Sequence, residues 1–228
     1  MDDKTFIIAE AGIAHNGDLN IAKRYVDLAI DVKADAVKFQ TFWHIKWLKK
    51  YELTREETIE LKEYCDEKKI EFMSTPWTFE AIEFLDALTL KYKIPSPYNC
   101  NKNFLKSVAE KGKPIFLSTG NQVHHNGMAT DEEIENALEV IPDANVTILH
   151  CVSKYPCLDE HFERVEQLKK FGKPVGISDH SKEVFLPEVA VIEKHIMLDD
   201  VTSIDECVSL NPKQFKKMVD YVRKREEK

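Results

Sequence analysis

With 228 residues, 43% of them hydrophobic, the chain can bury one substantial core and is expected to form a single domain over 1–228. Its net charge of -8 argues against nucleic acid as a partner, since phosphate backbones are bound through a net basic surface, so an anionic ligand would need local positive charge. Five cysteines without CxxC spacing speak against a disulfide framework or zinc ribbon, and no apolar run has membrane-spanning length, so the expectation is a cytoplasmic protein with no membrane partner.

Residues 6–10 (FIIAE) form an apolar run ending in an acid, read as a first strand, and AGIAHNG after it is a loop. Asp18 caps a helix whose apolar positions, Ala22, Tyr25, Val26, Ala29 and Ile30, fall at helical spacing. The second strand, 35–40, places Lys38 and Gln40 on one face. After an aromatic connection carrying Phe42, Trp43 and Trp47, Thr54 and Glu57 spell a capping box that opens a helix. A third strand over 70–75 stops at Pro76. A short helix near 79–85 leads to a fourth strand that ends at Ile94 and carries Lys93, with Ser96 just beyond.

A helix over 103–111 is stopped by Gly112, and the fifth strand covers 114–119. The insertion NQVHHNG precedes a second capping box, Thr130 with Glu133. The sixth strand, 145–150, runs into CVSKYP, and a helix marked by Phe162, Val165 and Leu168 closes at Gly172. Strands seven (175–180, VGISDH) and eight (189–195, VAVIEKH) both end in ionisable residues, and Asn211, Pro212 and Gln214 start a last helix.

Eight strands alternating with helices predict a (β/α)8 TIM barrel, and the open doubly wound alternative lacks its glycine-rich fingerprint. Residues 181–188 are too few for a full crossover, so the seventh helix is expected to be vestigial. In a barrel the carboxyl ends of the strands form the active-site face. That rule gathers Glu10, Lys38 with Gln40, Thr75, Lys93 with Ser96, Ser118 with Thr119, His150 with Ser153 and Tyr155, Ser178 with His180, and Glu193 with His195. Lys38 and Lys93 lie inside apolar strands, where lysine is unusual, and with the hydroxyls of Thr75, Ser96 and Ser118 they suit a phosphate. Two histidines on adjacent strand ends, His180 and His195, could hold a divalent metal. Cys151 is read as a buried filler on the opposite strand face, and His124 and His125 as solvent-facing. Trp43, Trp47 and Trp77 are read as closing the core or an interface.

The blocks IIAEAGIAHNGDL, AVKFQTF, LTREETIELKEYCDEKKIEFMSTP, GKPIFLSTG, LHCVSKYP, GISDH and VIEKH, in this order over nearly the whole chain, resemble the sialic acid synthase (N-acetylneuraminate synthase) family. The resemblance implies a barrel that condenses phosphoenolpyruvate with an open-chain 2-acetamido sugar, N-acetylmannosamine or a phosphorylated or modified relative. The products would be a nine-carbon 2-keto sugar acid and phosphate, and the cofactor a divalent cation, manganese or magnesium. It implies metal ligation by His180 and His195, and phosphoenolpyruvate contacts at Lys38, Thr75, Lys93, Ser96, Ser118, Ser153 and Ser178. Acceptor contacts are implied at Glu10, Gln40, Tyr155 and Asp205, with Glu193 an acid beside the metal. Glu10, Lys38 and Glu193 are thus the candidate catalytic groups.

The chain also departs from that pattern. Tyr98 stands where the family has an acid, and the loop after AVKFQTF is short. The C-terminal antifreeze-like domain, which in the family supplies an arginine across a dimer, is expected to be absent. A homodimer or a separate chain would then complete the acceptor site. The competing readings are a metal-dependent aldolase or lyase on another phosphorylated carbohydrate, and a non-catalytic ligand- or partner-binding barrel.

Overall fold

Apolar runs that end in polar residues form strands buried along most of their length, and eight of them close on one another in the computed structural model, which describes residues 4–158 and 161–227. The strands are β1 (Phe6–Gly12), β2 (Ala36–Thr41), β3 (Glu71–Pro76), β4 (Tyr92–Ile94), β5 (Ile115–Ser118), β6 (Val146–Cys151), β7 (Val175–Asp179) and β8 (Val191–His195). They are ordered β3-β2-β1-β8-β7-β6-β5-β4 with parallel ladders between neighbours. β3 and β4 meet where the ring closes. There Lys91 Nζ donates to both Glu71 carboxylate oxygens at 2.7 and 2.6 Å, and Tyr98 donates its hydroxyl to the Trp77 carbonyl at 2.8 Å. The (β/α)8 TIM barrel expected from the alternation is the observed architecture.

Seven α-helices surround it among the described residues: α1 (Leu19–Asp31), α2 (Arg55–Lys68), α3 (Phe79–Leu85), α4 (Lys102–Ala109), α5 (Asp131–Val140), α6 (Glu163–Leu168) and α7 (Pro212–Glu226). Their starts follow the capping chemistry, which satisfies amide groups that have no partner inside the helix. Asp18 accepts from the amides of Asn20 and Ile21, and reciprocal capping boxes form at Thr54 with Glu57, Thr130 with Glu133 and Asn211 with Gln214. None of these helices is long and apolar enough to cross a membrane.

Alternation along the strands builds two cores. Outward side chains join the inner faces of the helices in a continuous apolar layer that includes Tyr25, Leu61, Phe104 and Phe215. Inward, Ile8, Ala36, Met73, Phe116, Leu149 and Val191 fill the barrel axis. Gly176 is a required close approach, because an added Cβ would lie 2.6 Å from both Leu149 Cδ2 and the Val191 carbonyl. One step up each strand the inward layer turns polar, which is where the site begins.

The seventh helix is not merely shortened. No helix lies between β7 and β8; residues 180–190 cross as a loop that buries Leu186 and Val189. Eight or so residues cannot supply a helix and two turns, and a polar device takes its place. Fully buried Lys194 bonds the Asp179 carboxylate and donates to the Ser181 carbonyl at 2.6 Å, while Asp179 accepts from the Ser181 amide at 2.8 Å. The short connection after β2 turns through Lys46–Tyr51 and packs Phe42, Leu48 and Tyr51 on Ile13. Trp43 is buried as expected, donating to the Leu53 carbonyl at 3.0 Å, whereas Trp47 is exposed. The chain's two ends are tied together: the Thr5 amide donates to Glu226 and Arg223 donates to the Thr5 carbonyl, both at 2.7 Å.

One buried base sets a pH dependence. Burial pushes His15 from 6.5 down to about 4, against the pull of Asp18, and its Nδ1 accepts from the Gly17 amide at 3.1 Å. The unfolded chain therefore takes up a proton near pH 6.5 that the folded chain refuses until about pH 4, so stability falls as pH drops through that window. We expect His15 to account for a loss of about 2 kcal/mol between roughly pH 7.5 and pH 5. Urea unfolding at the two pH values should show a shallower dependence in His15→Asn, which retains an acceptor for Gly17; equal slopes would refute the assignment.

Candidate active site

Burying a charge is costly unless it is paired, and the polar layer at the barrel mouth is a chain of such pairs. Parallel register sets Glu10 beside Lys38 on β1 and β2, and Ser178 beside Glu193 on β7 and β8. Glu193 sits at the centre: its Oε1 is 2.6 Å from Lys93 Nζ and accepts from Ser178 Oγ at 2.9 Å, and its Oε2 is 3.6 Å from Lys38 Nζ. Lys38 in turn lies 2.7 Å from Glu10 Oε2 and donates to Thr75 Oγ1 at 2.8 Å. All of these side chains are buried.

The two carboxylates respond oppositely to that setting. Burial raises Glu10 to about 7, more than Lys38 lowers it. Burial also works to raise Glu193, but Lys38 and Lys93 together overcome it and hold this carboxyl well below the usual range. Burial opposes the charge on Lys38, and Glu10 and Glu193 more than restore it. The layer thus holds two ammonium ions, one firm carboxylate and one carboxyl group poised near neutrality.

Above this layer the hydroxyls gather. Ser118 is buried at the end of β5, and Ser96 and Ser153 approach each other across Gly120. A Cβ on Gly120 would collide with Ser153 Oγ and stand 2.6 Å from Ser96 Oγ, so glycine is what lets the two hydroxyls face one cleft. Asn99 fixes this turn by donating to the carbonyls of Ser118 at 3.2 Å and Gly120 at 2.9 Å.

Across the mouth, Gly12, with φ +58°, leaves room for three groups. A Cβ there would be 3.3 Å from Asp205 Oδ2 and 3.4 Å from both Gln40 Nε2 and Glu10 Oε1. Gln40 donates to Glu10 Oε1 at 3.2 Å and accepts from Trp77 Nε1 at 3.1 Å, which fixes its amide orientation. Burial raises the Asp205 carboxyl against the lowering influence of His180 and Lys38.

His180 and His195 are neighbours, with ring centroids 5.6 Å apart. His180 Nε2 is 2.8 Å from the Tyr155 hydroxyl and its Nδ1 2.9 Å from the Val152 carbonyl; His195 Nδ1 is 3.9 Å from Asp205 Oδ2. Burial, reinforced by His180, keeps His195 well below the usual imidazole range, and a neutral ring is the form that ligates a metal. Among the described residues no group of three or more His, Cys, Asp or Glu side chains is arranged to hold an ion. The ring nitrogens of His180 and His195 are the two donors this mouth could offer a cation, whose remaining positions would fall to water and substrate oxygens.

Every residue singled out by its strand-end position reaches this mouth except His150 and Thr119. The inward positions of β6 are those of Leu149 and Cys151, so His150 lies on the outer face with Ile148. The expectation that Cys151 is a filler on the opposite face is overturned: it lines the pocket, with Sγ 3.4 Å from Ser96 Oγ and 3.9 Å from His180 Nδ1. Trp77 packs against the apolar cluster of Ile13, Phe42, Leu48 and Tyr51 as expected and also lines the pocket, and Gln122, from the NQVHHNG insertion, joins it without having been singled out. Tyr98 turns away, its hydroxyl bound to the Trp77 carbonyl and its ring stacked on Phe104 with centroids 4.2 Å apart. His124 lies outside the pocket, 2.9 Å from Glu133, and His125 is exposed.

The NeuB family model matches residues 43–228. The chain is similar to the N,N'-diacetyllegionaminic acid synthase of Campylobacter jejuni, 35% identical over 96% of this chain and 76% of that protein. It is similar to the pseudaminic acid synthase of the same species, 34% identical over 99% of this chain and 75% of that protein. Among solved structures, the N-acetylneuraminic acid (sialic acid) synthetase of Leptospira borgpetersenii superposes with a TM-score of 0.89 at 34% identity, covering 98% of this chain and 84% of that one.

The pairing predicts an asymmetry in stability. Glu193→Gln strands Lys93 without a counter-charge and should cost about 3 kcal/mol or more, whereas Lys93→Met leaves Glu193 with Lys38 and Ser178 and should cost clearly less. Urea denaturation of the two variants measures the difference, and equal losses would contradict the central position of Glu193.

Proposed function

The chain belongs to the NeuB family, and on that premise we propose that its barrel mouth condenses phosphoenolpyruvate with an open-chain 2-acetamido sugar of the N-acetylmannosamine type, giving a nine-carbon 2-keto sugar acid and phosphate. The observation that carries the reading is the buried Lys38, Glu193 and Lys93 array set beneath a ring of hydroxyls. Two ammonium ions are held in place before any ligand arrives, so an incoming phosphate and carboxylate meet donors that need little reorganisation.

In this reading Lys93 and Lys38, with Thr75, Ser96, Ser118, Ser153 and Ser178, bind phosphoenolpyruvate through charge-assisted hydrogen bonds. A bond forms between its methylene carbon and the acceptor's aldehyde carbon. Water adds at C2, and the bond from C2 to the phosphate oxygen breaks to release phosphate. Glu10, with a carboxyl at about 7, is placed to exchange a proton with the acceptor's oxygen. Glu193 stays ionised and keeps both lysines aimed at the phosphate. Gln40, Tyr155 and Asp205 face the acceptor.

Membership in the family implies a divalent metal, and His180 with His195 would hold it. Bound there, manganese or magnesium would supply Lewis-acid polarisation of the aldehyde, and imidazole donors favour manganese of the two. A second copy of the chain or a separate chain would bring further acceptor contacts over the mouth.

Phosphate release from phosphoenolpyruvate, with manganese and a panel of 2-acetamido sugars, tests the reading. Release that requires both substrates is expected. Binding of phosphoenolpyruvate without release across the panel would favour a binding barrel, and sugar cleavage without phosphoenolpyruvate an aldolase. For the metal, calorimetric titration with manganese should show His180→Ala and His195→Ala each weakened about tenfold or more, with His124→Ala unchanged. Equal affinities in all three variants would remove the two histidines from the metal site.

A further inference from the structure

We propose that Gln122 is a further substrate-binding residue of this mouth, donating its side-chain amide to the phosphate of phosphoenolpyruvate, and that residues 121–127 are built to hold it there; the inference rests on the condensing activity proposed above. Gln122 belongs to the NQVHHNG segment between β5 and α5. It lines the same pocket as Ser96, Ser118 and Ser153. Among the described residues no protein group bonds its side-chain amide, so the donors are available to a ligand.

A glutamine that only met solvent would need no fixed backbone, yet this one is held on both sides. The segment leaves β5 at Gly120 and returns at Met128, and these two residues form an antiparallel bridge. Within it the Asn121 amide donates to the Gly127 carbonyl and the Gly127 amide to the His124 carbonyl, both at 2.9 Å. The Asn121 side chain then clamps the turn around Gln122: its Oδ1 accepts from the Val123 amide at 2.9 Å, and its Nδ2 donates to Glu133 Oε1 at 3.1 Å. Glu133 also lies 2.9 Å from His124 Nε2 and closes the capping box of α5, so the loop is anchored to a helix end.

What the loop is held against decides which part of the substrate Gln122 meets. The Gly127 carbonyl accepts from the Ser153 amide at 2.8 Å. Gly127, with φ +77°, approaches so closely that an added Cβ would stand 3.0 Å from Val152 Cγ1 and 3.2 Å from the Ser153 nitrogen. At the other end of the loop is Gly120, whose missing side chain opens the gap between the Ser96 and Ser153 hydroxyls. Gln122 thus follows that gap by two residues, on the β5 and β6 side, while Glu10 and Gln40 lie on β1 and β2 across the ring. A phosphate offers acceptor oxygens, and an amide NH2 supplies donors without adding charge. Lys38 and Lys93 already bring the positive charge, so a directed hydrogen bond is what this side adds, and a seated amide gives it with little ordering on binding.

The test titrates inorganic phosphate and phosphoenolpyruvate by calorimetry into the full chain with magnesium. Gln122→Met keeps the length of the side chain and removes the donors, and because Gln122 is exposed the core is left intact. Both ligands should bind Gln122→Met about tenfold more weakly, and Gln122→Glu, which sets a negative charge at the same place, should weaken both further. Asn121→Ala frees the loop without touching the ligand. It should weaken phosphoenolpyruvate about threefold on its own and have no effect when combined with Gln122→Met, a pattern that a general loss of structure does not give. Unchanged phosphate affinity in Gln122→Met would overturn the inference. So would a loss confined to phosphoenolpyruvate, which would put Gln122 at the carboxylate, or a loss in Asn121→Ala that persists beside Gln122→Met, since the loop would then act through Ser153. Failure of phosphoenolpyruvate to bind the unaltered chain would strike instead at the condensing activity, so the two readings fail on different observations.

Discussion

The contact on which the mouth depends is the bridge that Glu193 makes between Lys93, at 2.6 Å, and Lys38, at 3.6 Å. Lysine inside a barrel is tolerated only when its charge is met at close range, and Lys93 on β4 meets its counter-charge on β8, across the ring, while Lys38 is met both by Glu10 on the adjacent β1 and by Glu193. β4 supplies Lys93, β2 supplies Lys38 and β8 supplies Glu193, so the layer exists only when the whole cylinder is closed. The apolar layer of Ile8, Met73, Phe116, Leu149 and Val191 beneath it sets the diameter that brings these groups within reach. Packing below and electrostatics above are therefore two aspects of one constraint.

Much of this arrangement is legible in the sequence. Caps announce themselves through short-range chemistry, and the spacings of Thr54 with Glu57 and Thr130 with Glu133 became the capping boxes they spell. Lysine in an otherwise apolar strand is a strong signal, because nothing about burial asks for it, and both Lys38 and Lys93 lie in the polar layer. The pairs Ser178 with His180 and Glu193 with His195 share a face as period two requires, even though β7 ends one residue earlier than expected and β8 starts two residues later.

Other parts are not legible, for physical reasons. In β6, Ile148 and Leu149 are equally apolar and His150 and Cys151 equally plausible at a strand end, so sequence could not decide which alternate set faces inward. Loop residues carry no periodicity at all, which is why Gln122 was not singled out and why the pocket face of Trp77 was not seen beside its packing role. Tyr98 is seen only in the structure to serve the closure of the ring, binding the Trp77 carbonyl at 2.8 Å while its ring stacks on Phe104. The missing seventh helix was visible as a length, but its replacement by the buried pair of Lys194 and Asp179 was not.

The tie between the chain's two ends has a consequence for how the protein is made. β1 pairs with β8 along Phe6 to Glu10, and the Thr5 amide and carbonyl are held by Glu226 and Arg223 of the last helix. During synthesis from the amino end, the first strand has one open edge until residue 195 has left the ribosome. Through most of that time Lys38 has Glu10 as a counter-charge but lacks Glu193. The nascent chain is then a growing, incomplete sheet with exposed strand edges, the condition in which chains associate wrongly. The cylinder closes and its interior charges are balanced only once β8 has emerged, which makes Val191–His195 the segment that commits all the rest.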